Sequence, residues 1–152
     1  MIRSRVFSAL IACTGLVAFS PAFAKTCNVE IEGNDMMQYN KPSIAIAADC
    51  TEVAVTLKHS GKLPLATMGH NWVLTETPVF QQVATAGLAA GLAADYLPKN
   101  DARIIAHTKM IGGGETTSVT FPTSKLKKGG AYTYFCTFPG HWGIMKGTLT
   151  FG

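Results

Sequence analysis

The chain has 152 residues, of which 47% are hydrophobic and 14% charged, and its formal net charge at pH 7 is +4. Without the basic residues Arg3 and Arg5, which lie in an N-terminal segment described next, 11 basic residues face 9 acidic ones. So small and scattered an excess of positive charge argues against a nucleic-acid-binding protein. No later apolar stretch is long enough for a membrane span.

Residues 1–24 have the features of a secretory signal peptide. Arg3 and Arg5 give a positively charged start, an apolar run follows over residues 9–19, and the Ala-Phe-Ala sequence at 22–24 is a small-residue cleavage site. Cleavage there leaves residues 25–152 as one domain, which is long enough to bury a core of its own. We therefore expect a protein exported to the periplasm.

Hydrophobic residues alternate with polar or small residues in about eight short segments of the mature chain. The segments contain Val29 and Ile31, Ile44 and Ile46, Val53 and Leu57, Val73, Ile104 and Ala106, Val119 and Phe121, Tyr132 and Tyr134, and Leu149 and Phe151. Runs rich in Gly, Pro, Asn and Asp separate several of them. This period of two, broken by turn residues, predicts an all-β sandwich of about eight strands.

One alanine-rich segment, residues 79–96, interrupts the β pattern. Its apolar side chains recur near helical spacing, Thr77 is placed to cap it, and Pro78 suits a first helical position. Gly87 and Gly91 each weaken a helix by roughly 1 kcal/mol relative to alanine. The segment therefore predicts a short, imperfect helix that lies against an edge of the sandwich.

Three cysteines remain once Cys13 is removed with the signal peptide. Cys27 begins the first predicted strand and Cys50 follows the second, so in an oxidising compartment these two are the natural disulfide pair. Such a bond closes a loop of about 24 residues and contributes roughly 3 kcal/mol in the chain-entropy model. Cys136 is left as a free thiol, which is either an inert buried residue or a metal ligand.

Cys136, His141 and Met145 place a thiolate, an imidazole and a thioether on one short loop, at Cys-x4-His-x3-Met spacing. A trigonal copper site needs one Cys and two His, with Met as a weak axial ligand. His70, upstream, offers the second imidazole. We therefore predict one copper ion held by His70, Cys136, His141 and Met145, which gains and loses one electron between Cu(II) and Cu(I).

Three other classes of protein use some of the same residues. A thiol hydrolase needs a spatially assembled Cys-His pair, whereas Cys136 and His141 are close in sequence and Met145 would have no task. A copper oxidase or reductase needs a second metal centre, for which only His59 and His107 remain. A copper chaperone favours exposed, exchangeable sulfur ligands. We expect a non-enzymatic electron carrier, although a Cys-His-His set also accepts zinc.

Two long motifs and several shorter ones extend through the mature chain: MGHNWVL at 68–74, CTFPGH at 136–141, and shorter matches at 33–38, 106–109, 118–121 and 145–150. Together they resemble azurins, the bacterial blue copper proteins of the cupredoxin family. The resemblance covers residues 25–152. It implies a plastocyanin-like (cupredoxin) domain, an eight-stranded Greek-key sandwich with one inserted helix, one type 1 copper ion and the same disulfide.

The resemblance also implies roles for residues near the metal. The Gly69 carbonyl falls at the axial position opposite Met145. Asn71 matches the residue that ties the two ligand loops together and donates a hydrogen bond near the thiolate, and the amide of Phe138 plays a similar part. His59 resembles a histidine whose protonation couples weakly to the redox state, although the sequence alone favours a hydrogen-bonded structural residue.

By the same resemblance, the outer ring edge of His141 lies within an apolar surface patch. This docking patch consists of Met37, Leu63, Met68, Pro139, Gly140, Gly143 and Ile144. An exposed apolar patch marks a partner site, and a small one suits brief redox encounters. The implied partners of this monomeric carrier are redox proteins such as c-type cytochromes or periplasmic reductases and dehydrogenases. The alternative is that Ile144 and its neighbours simply cover the metal loop, and the orientation of Trp142 is left open.

Overall fold

The computed structural model describes residues 24–152, in which eight strands form the framework. They are β1 (Thr26–Gly33), β2 (Ser43–Ile46), β3 (Glu52–His59), β4 (Val73–Glu76), β5 (Ile104–His107), β6 (Thr116–Pro122), β7 (Tyr132–Phe135) and β8 (Lys146–Phe151). Two α-helices, α1 (Leu65–Met68) and α2 (Phe80–Leu88), lie between strands on either side of β4. The predicted signal peptide lies outside the described residues, apart from Ala24. Within residues 24–152, none of the helices is long and apolar enough to cross a bilayer.

The strands form two sheets, as the alternating pattern predicts. One sheet has the order β1-β3-β6 and the other β2-β8-β7-β4-β5. β1 pairs with β3, and β2 with β8, in parallel, whereas the remaining neighbours are antiparallel. The prediction of an eight-stranded Greek-key sandwich with a helical insertion is confirmed.

The core lies between the two sheets and follows directly from the period of two. On β3, Val53, Val55 and Leu57 are fully buried, while the residues between them are partly exposed. Trp72 is also fully buried, and its ring stacks on Phe121 and Tyr134 at centroid distances of 6.2 and 5.9 Å. The large rings therefore hold the two sheets together beneath the end of the sandwich that carries the metal-binding side chains.

The helical insertion is shorter than predicted. α2 ends at Leu88, and Gly91, with a φ of 71°, lies in the left-handed region and precedes a separate 3-10 turn at Leu92–Ala94. The predicted cap at Thr77 is wrong, because its hydroxyl bonds the Thr133 hydroxyl at 3.0 Å and Val79 occupies the N-cap position without a side-chain bond. Gly91 thus stops the helical segment beyond the C-terminal end of α2, and the bond between Thr77 and Thr133 prevents Thr77 from capping its N-terminal end.

The predicted disulfide is present between Cys27 and Cys50, whose Cα atoms are 5.8 Å apart. It fastens the start of β1 to the segment just before β3, with which β1 pairs in parallel. Gly33, at the other end of β1, borders the metal-binding cluster. Because a strand rises about 3.3 Å per residue, the disulfide lies roughly 20 Å from that cluster.

Replacing both Cys27 and Cys50 with Ala is expected to lower the free energy of unfolding by roughly 2–4 kcal/mol, because the unfolded chain loses its cross-link. Urea denaturation of the metal-free protein measures this change. The visible spectrum of the copper-loaded variant should match that of the wild-type protein. A changed spectrum, or an unchanged free energy of unfolding, would contradict the conclusion that this disulfide stabilises the fold without affecting the metal site.

Candidate metal centre

Three metal-binding side chains meet in a buried cluster at one end of the sandwich. The Sγ atom of Cys136 lies 3.9 Å from Nδ1 of His70 and 3.6 Å from Nδ1 of His141. One ligand atom from each residue lies within 4.8 Å of the others, and all three side chains are buried. The structure therefore brings His70 to the thiol of Cys136, 66 residues later in the sequence, and to His141, five residues after that thiol.

These donors are spaced to hold one metal ion. An ion about 2.3 Å from a sulfur and about 2.0 Å from a nitrogen, with a trigonal angle between them, separates the two donors by about 3.7 Å. The observed sulfur–nitrogen distances of 3.9 and 3.6 Å lie on either side of that value. One thiolate with two imidazoles is the donor set of blue copper sites, so the residues present fit copper.

The loop between β7 and β8 fixes two of the three donors. Cys136 follows β7 directly, and its amide donates to the Met145 carbonyl at 3.1 Å. The chain turns through Gly140, whose φ is 83°, and the amides of His141 and Met145 donate to the carbonyls of Phe138 and His141 at 3.0 and 2.8 Å. Backbone hydrogen bonds therefore close the loop at both ends and in the middle.

His70 reaches the site from the segment between α1 and β4. Its backbone exchanges two hydrogen bonds of 2.9 Å with Ile111, which forms an isolated bridge at this point. Its Nε2 lies 2.8 Å from the Asn34 carbonyl. Since a carbonyl can only accept, Nε2 carries the proton, and Nδ1 keeps its lone pair directed at the cluster.

His59 supports His70 from behind. It is fully buried, and its ring stacks on that of His70 with centroids 4.2 Å apart. Its Nδ1 accepts from the Gly61 amide at 3.1 Å, and its Nε2 lies 2.8 Å from the Met68 carbonyl. Both ring nitrogens are thus engaged, which agrees with the hydrogen-bonded structural role. His107 is an exposed strand residue.

Asn71 joins the two ligand loops. Its Oδ1 accepts from the Thr137 amide at 2.9 Å, and its Nδ2 donates to the Thr137 hydroxyl at 2.7 Å. The same Nδ2 and the Thr137 hydroxyl both donate to the Asp95 carbonyl. Asn71 and Thr137 are fully buried, so these bonds are protected from water and hold His70 and Cys136 at a fixed separation.

Burial sets the protonation of the three donors. It raises the pKa of the Cys136 thiol to about 12, against backbone hydrogen bonds from Asn71 and Phe138 that lower it. Burial lowers the pKa of His141 to about 4 and also lowers the pKa of His70. At neutral pH the metal-free protein therefore has two neutral imidazoles ready to bind and one thiol that must lose its proton.

Both candidate axial groups lie beside the cluster. The Gly69 carbonyl oxygen is 3.7 Å from Sγ of Cys136. Met145 is fully buried and packs in the same apolar cluster as Cys136. A Cβ atom at Gly33 would lie only 2.7 Å from Cε of Met145 and 2.9 Å from Cδ2 of His70, so the bare backbone of Gly33 forms the wall against which both side chains rest.

The residues of the docking patch fall into two classes of exposure. Leu63, Pro139, Gly140, Gly143 and Ile144 are exposed, while Met37 and Met68 are half-buried. Ile144 is 61% exposed, and Met36, which the sequence analysis did not include, is 65% exposed.

Trp142 is half-buried and turns towards the helical insertion. Its ring meets that of Phe80 edge-on at 6.2 Å, and Phe80 in turn contacts Phe135 at 5.7 Å. Trp142 also packs against a second apolar cluster, which includes Val73 and Val83. The orientation left open by the sequence is therefore one that joins the metal-binding loop to α2.

A family model for copper-binding proteins of the plastocyanin/azurin family matches residues 25–152. This chain belongs to that family. The azurin of Achromobacter denitrificans is 56% identical over 129 residues, 85% of this chain and 87% of that protein. The azurin of Pseudomonas aeruginosa PAO1 is 53% identical over 131 residues, 86% of this chain and 88% of that protein. The solved structure of an azurin from the methylotroph Methylomonas sp. strain J is similar with a TM-score of 0.80 and 44% identity, covering 83% of this chain and 98% of that one.

Membership of the plastocyanin/azurin family, together with the buried His70, Cys136 and His141 cluster, identifies the chain as a blue copper electron carrier. The predicted copper cofactor and the predicted family are both confirmed.

Several residues that shape the site were not given a role by the sequence analysis. The sequence analysis placed Gly33 and Asn34 only within the motif at 33–38, yet the bare backbone of Gly33 lines the site and the Asn34 carbonyl accepts a hydrogen bond from Nε2 of His70. Thr137 and Asp95 complete the Asn71 network. The local signal for Gly33 is its position on an alternating strand, because a glycine in a strand often marks a site where a ligand or another segment approaches the backbone closely.

Metal binding is expected to release one proton per ion near neutral pH, because the Cys136 thiol is protonated and both imidazoles are neutral. The apparent affinity should rise about tenfold per pH unit between pH 7 and 9, since the proton competes with the metal. As the pH falls towards the pKa of His141, about 4, a second proton should compete and the dependence should steepen.

Calorimetric titration with Zn²⁺, which does not oxidise the thiol, in two buffers of different ionisation enthalpy measures the protons released. The Cys136→Ala variant is the control and should release none at pH 7. Zero release by the wild-type protein would mean that the thiolate exists before the metal binds.

Proposed function

We propose that the mature chain, residues 25–152, carries single electrons between redox proteins of the periplasm. His70, Cys136 and His141 are the three strong ligands, Met145 and the Gly69 carbonyl are the weak axial ones, and bound copper supplies a one-electron couple between Cu(I) and Cu(II). The observation that carries the proposal is the spacing of one buried sulfur and two buried imidazole nitrogens around a single position.

The anchoring of the donors suits electron transfer. Cys136 follows a strand, His141 lies on a hydrogen-bonded turn, and His70 is tied to Ile111 through its backbone and to Asn34 through its ring. Donors held in this way keep their places whichever charge the ion has. Little rearrangement then accompanies the gain or loss of an electron, which is the property a fast carrier requires.

The site is poorly suited to catalysis by its thiol. A nucleophilic cysteine needs an accessible thiolate, whereas Cys136 is fully buried and its pKa is raised to about 12. A surface groove of about 560 Å³ is lined by Glu76, Arg103 and Lys125, among others, and contains none of the metal-binding residues. These features support a carrier without enzymatic activity of its own.

We place electron entry and exit at His141 and the docking patch. His141 is 3% exposed. Nε2 of His141 has no hydrogen-bond partner in the structure. If it were also fully enclosed, it would be a buried polar atom without a partner, and within residues 24–152 Trp72 Nε1 is the one such side-chain nitrogen or oxygen. Nε2 of His141 therefore retains some access to solvent. Exposed Ile144 and Leu63 provide an apolar surface for brief docking.

The proposed partners are c-type cytochromes or periplasmic reductases and dehydrogenases, and the carrier acts as a monomer. The periplasmic location rests on the signal-peptide pattern of residues 1–24. The Cys27–Cys50 disulfide supports it, since such bonds persist in oxidising compartments.

Adding one equivalent of Cu²⁺ to the metal-free protein is expected to produce an intense visible charge-transfer band from the Cys136 thiolate. A mild reductant should bleach the band, and reoxidation should restore it without loss of metal. Absorption spectroscopy with metal analysis on the same sample measures both.

Two variants separate the roles of the sulfur ligands. Cys136→Ser should abolish the band while the fold, followed by circular dichroism, is retained. Met145→Leu should keep both the copper and the band and raise the reduction potential, because an axial thioether is a weak ligand. A colourless wild-type adduct, or one that loses copper on reduction, would point to a copper chaperone instead.

Replacing Ile144 with Lys should slow electron exchange with a c-type cytochrome at least tenfold, because a desolvated charge is unfavourable in a small apolar interface. Stopped-flow mixing measures the rate, and the visible band and potential should change little. Leu88→Lys is the matched control: Leu88 is 46% exposed on α2, outside the docking patch. Equal rates for both variants would remove the patch from the proposal.

A further inference from the structure

Tyr39 is a residue of the metal-binding end for which the sequence analysis gave no role. It follows the turn that contains Asn34, forms an isolated bridge with Gly33, and packs against the apolar cluster of Cys136 and Met145. Its hydroxyl donates a hydrogen bond to the Asn71 backbone carbonyl. The phenol therefore reaches the residue that directly follows the ligand His70.

The peptide unit between Asn71 and Trp72 is held from both sides by side chains. The Tyr39 hydroxyl binds its carbonyl, and its amide, that of Trp72, donates to the Thr108 hydroxyl at 2.9 Å. Thr108 and Asn71 are buried, at 1% and 0% exposure. With the following peptide fixed in this way, the Asn71 backbone has little freedom to rotate.

The orientation of Asn71 matters because its own amide acts on the sulfur. Hydrogen bonding from the backbone of Asn71 and of Phe138 lowers the pKa of the Cys136 thiol, because an amide donor stabilises the thiolate. The Asn71 side chain also accepts from the amide of Thr137, the residue after Cys136, at 2.9 Å, so the position of Asn71 is coupled to that of the sulfur. A donor to the thiolate withdraws electron density from it and weakens its bond to Cu(II) more than to Cu(I). Such donors therefore raise the reduction potential of a blue copper site.

We propose that the Tyr39 hydroxyl is a positioning group which, by holding the Asn71 carbonyl, keeps the Asn71 amide directed at the Cys136 sulfur and so raises the reduction potential of the metal site. The inference rests on the copper ligation proposed above. It requires no proton transfer, since the hydroxyl's partner is a backbone carbonyl rather than a base.

Tyr134 provides a matched control within the same ring pair. Its ring lies 5.6 Å from that of Tyr39, and its hydroxyl also donates to a backbone carbonyl, that of Lys41. Lys41 is an exposed residue outside the ligand loops. Tyr39→Phe and Tyr134→Phe therefore remove the same group and the same type of hydrogen bond, one beside the metal-binding residues and one away from them.

The potentials of the two copper-loaded variants and the wild-type protein are to be measured by equilibration with a redox couple of known potential. Tyr39→Phe should lower the equilibrium constant for copper reduction about fivefold, the scale of one neutral hydrogen bond, and shift the thiolate band. Amide exchange at Asn71, followed by NMR in the Zn²⁺-loaded protein, should become faster. Tyr134→Phe should lose comparable stability and leave all three quantities unchanged.

The proposal is overturned if Tyr39→Phe matches Tyr134→Phe in potential, band and Asn71 exchange. If Tyr39→Phe does not load copper, Thr108→Val, which frees the other side of the same peptide, should lower the potential, and an unchanged potential overturns the proposal. A wild-type protein without the thiolate band would contradict the proposed function itself. A normal wild-type band with no effect of these variants would contradict this inference alone.

Discussion

The burial of one thiol and two imidazoles at a common point is the constraint on which the rest of the structure depends. None of these groups is stable in its charged form without water or a partner, and the pKa values of Cys136 and His141 are displaced accordingly. A bound cation would remove this cost, because it would replace the proton on the sulfur, balance the thiolate charge and accept the lone pairs of both imidazole nitrogens. The site is thus prepared for a metal by the same burial that makes it unfavourable without one.

Hydrogen bonds from beyond the ligands keep this arrangement in place. The Asn34 carbonyl accepts a hydrogen bond from Nε2 of His70, and the Asn71 side chain ties its own loop to Thr137 beside Cys136. Gly33 contributes by the absence of a side chain. His70 lies before β4, whereas Cys136, His141 and Met145 follow β7. The bonds from Asn71 to Thr137 join these two segments, so the two ligand loops cannot move independently.

The sequence was informative wherever a pattern is local. The alternation along β3 predicted a buried face, and the spacing of Cys136, His141 and Met145 predicted a copper loop. The motif at 68–74 offered His70 as the second imidazole, and its resemblance to azurins supported that choice. What a sequence does not contain is the distance between remote segments: Asn34 and Tyr39 act through a carbonyl and a hydroxyl that reach other loops. The start of α2 also depends on a tertiary contact, since the Thr77 hydroxyl bonds that of Thr133 instead of capping the helix.

The aromatic contact between Phe80 and Trp142 makes α2 part of the same packing unit as the turn that carries His141. The helical insertion therefore cannot be exchanged independently of the loop that carries His141. A chimaera that took this helix from a relative would have to take the residue after His141 with it, or leave a hole beside the turn. Evolutionary change at either position is accordingly expected to be correlated with change at the other.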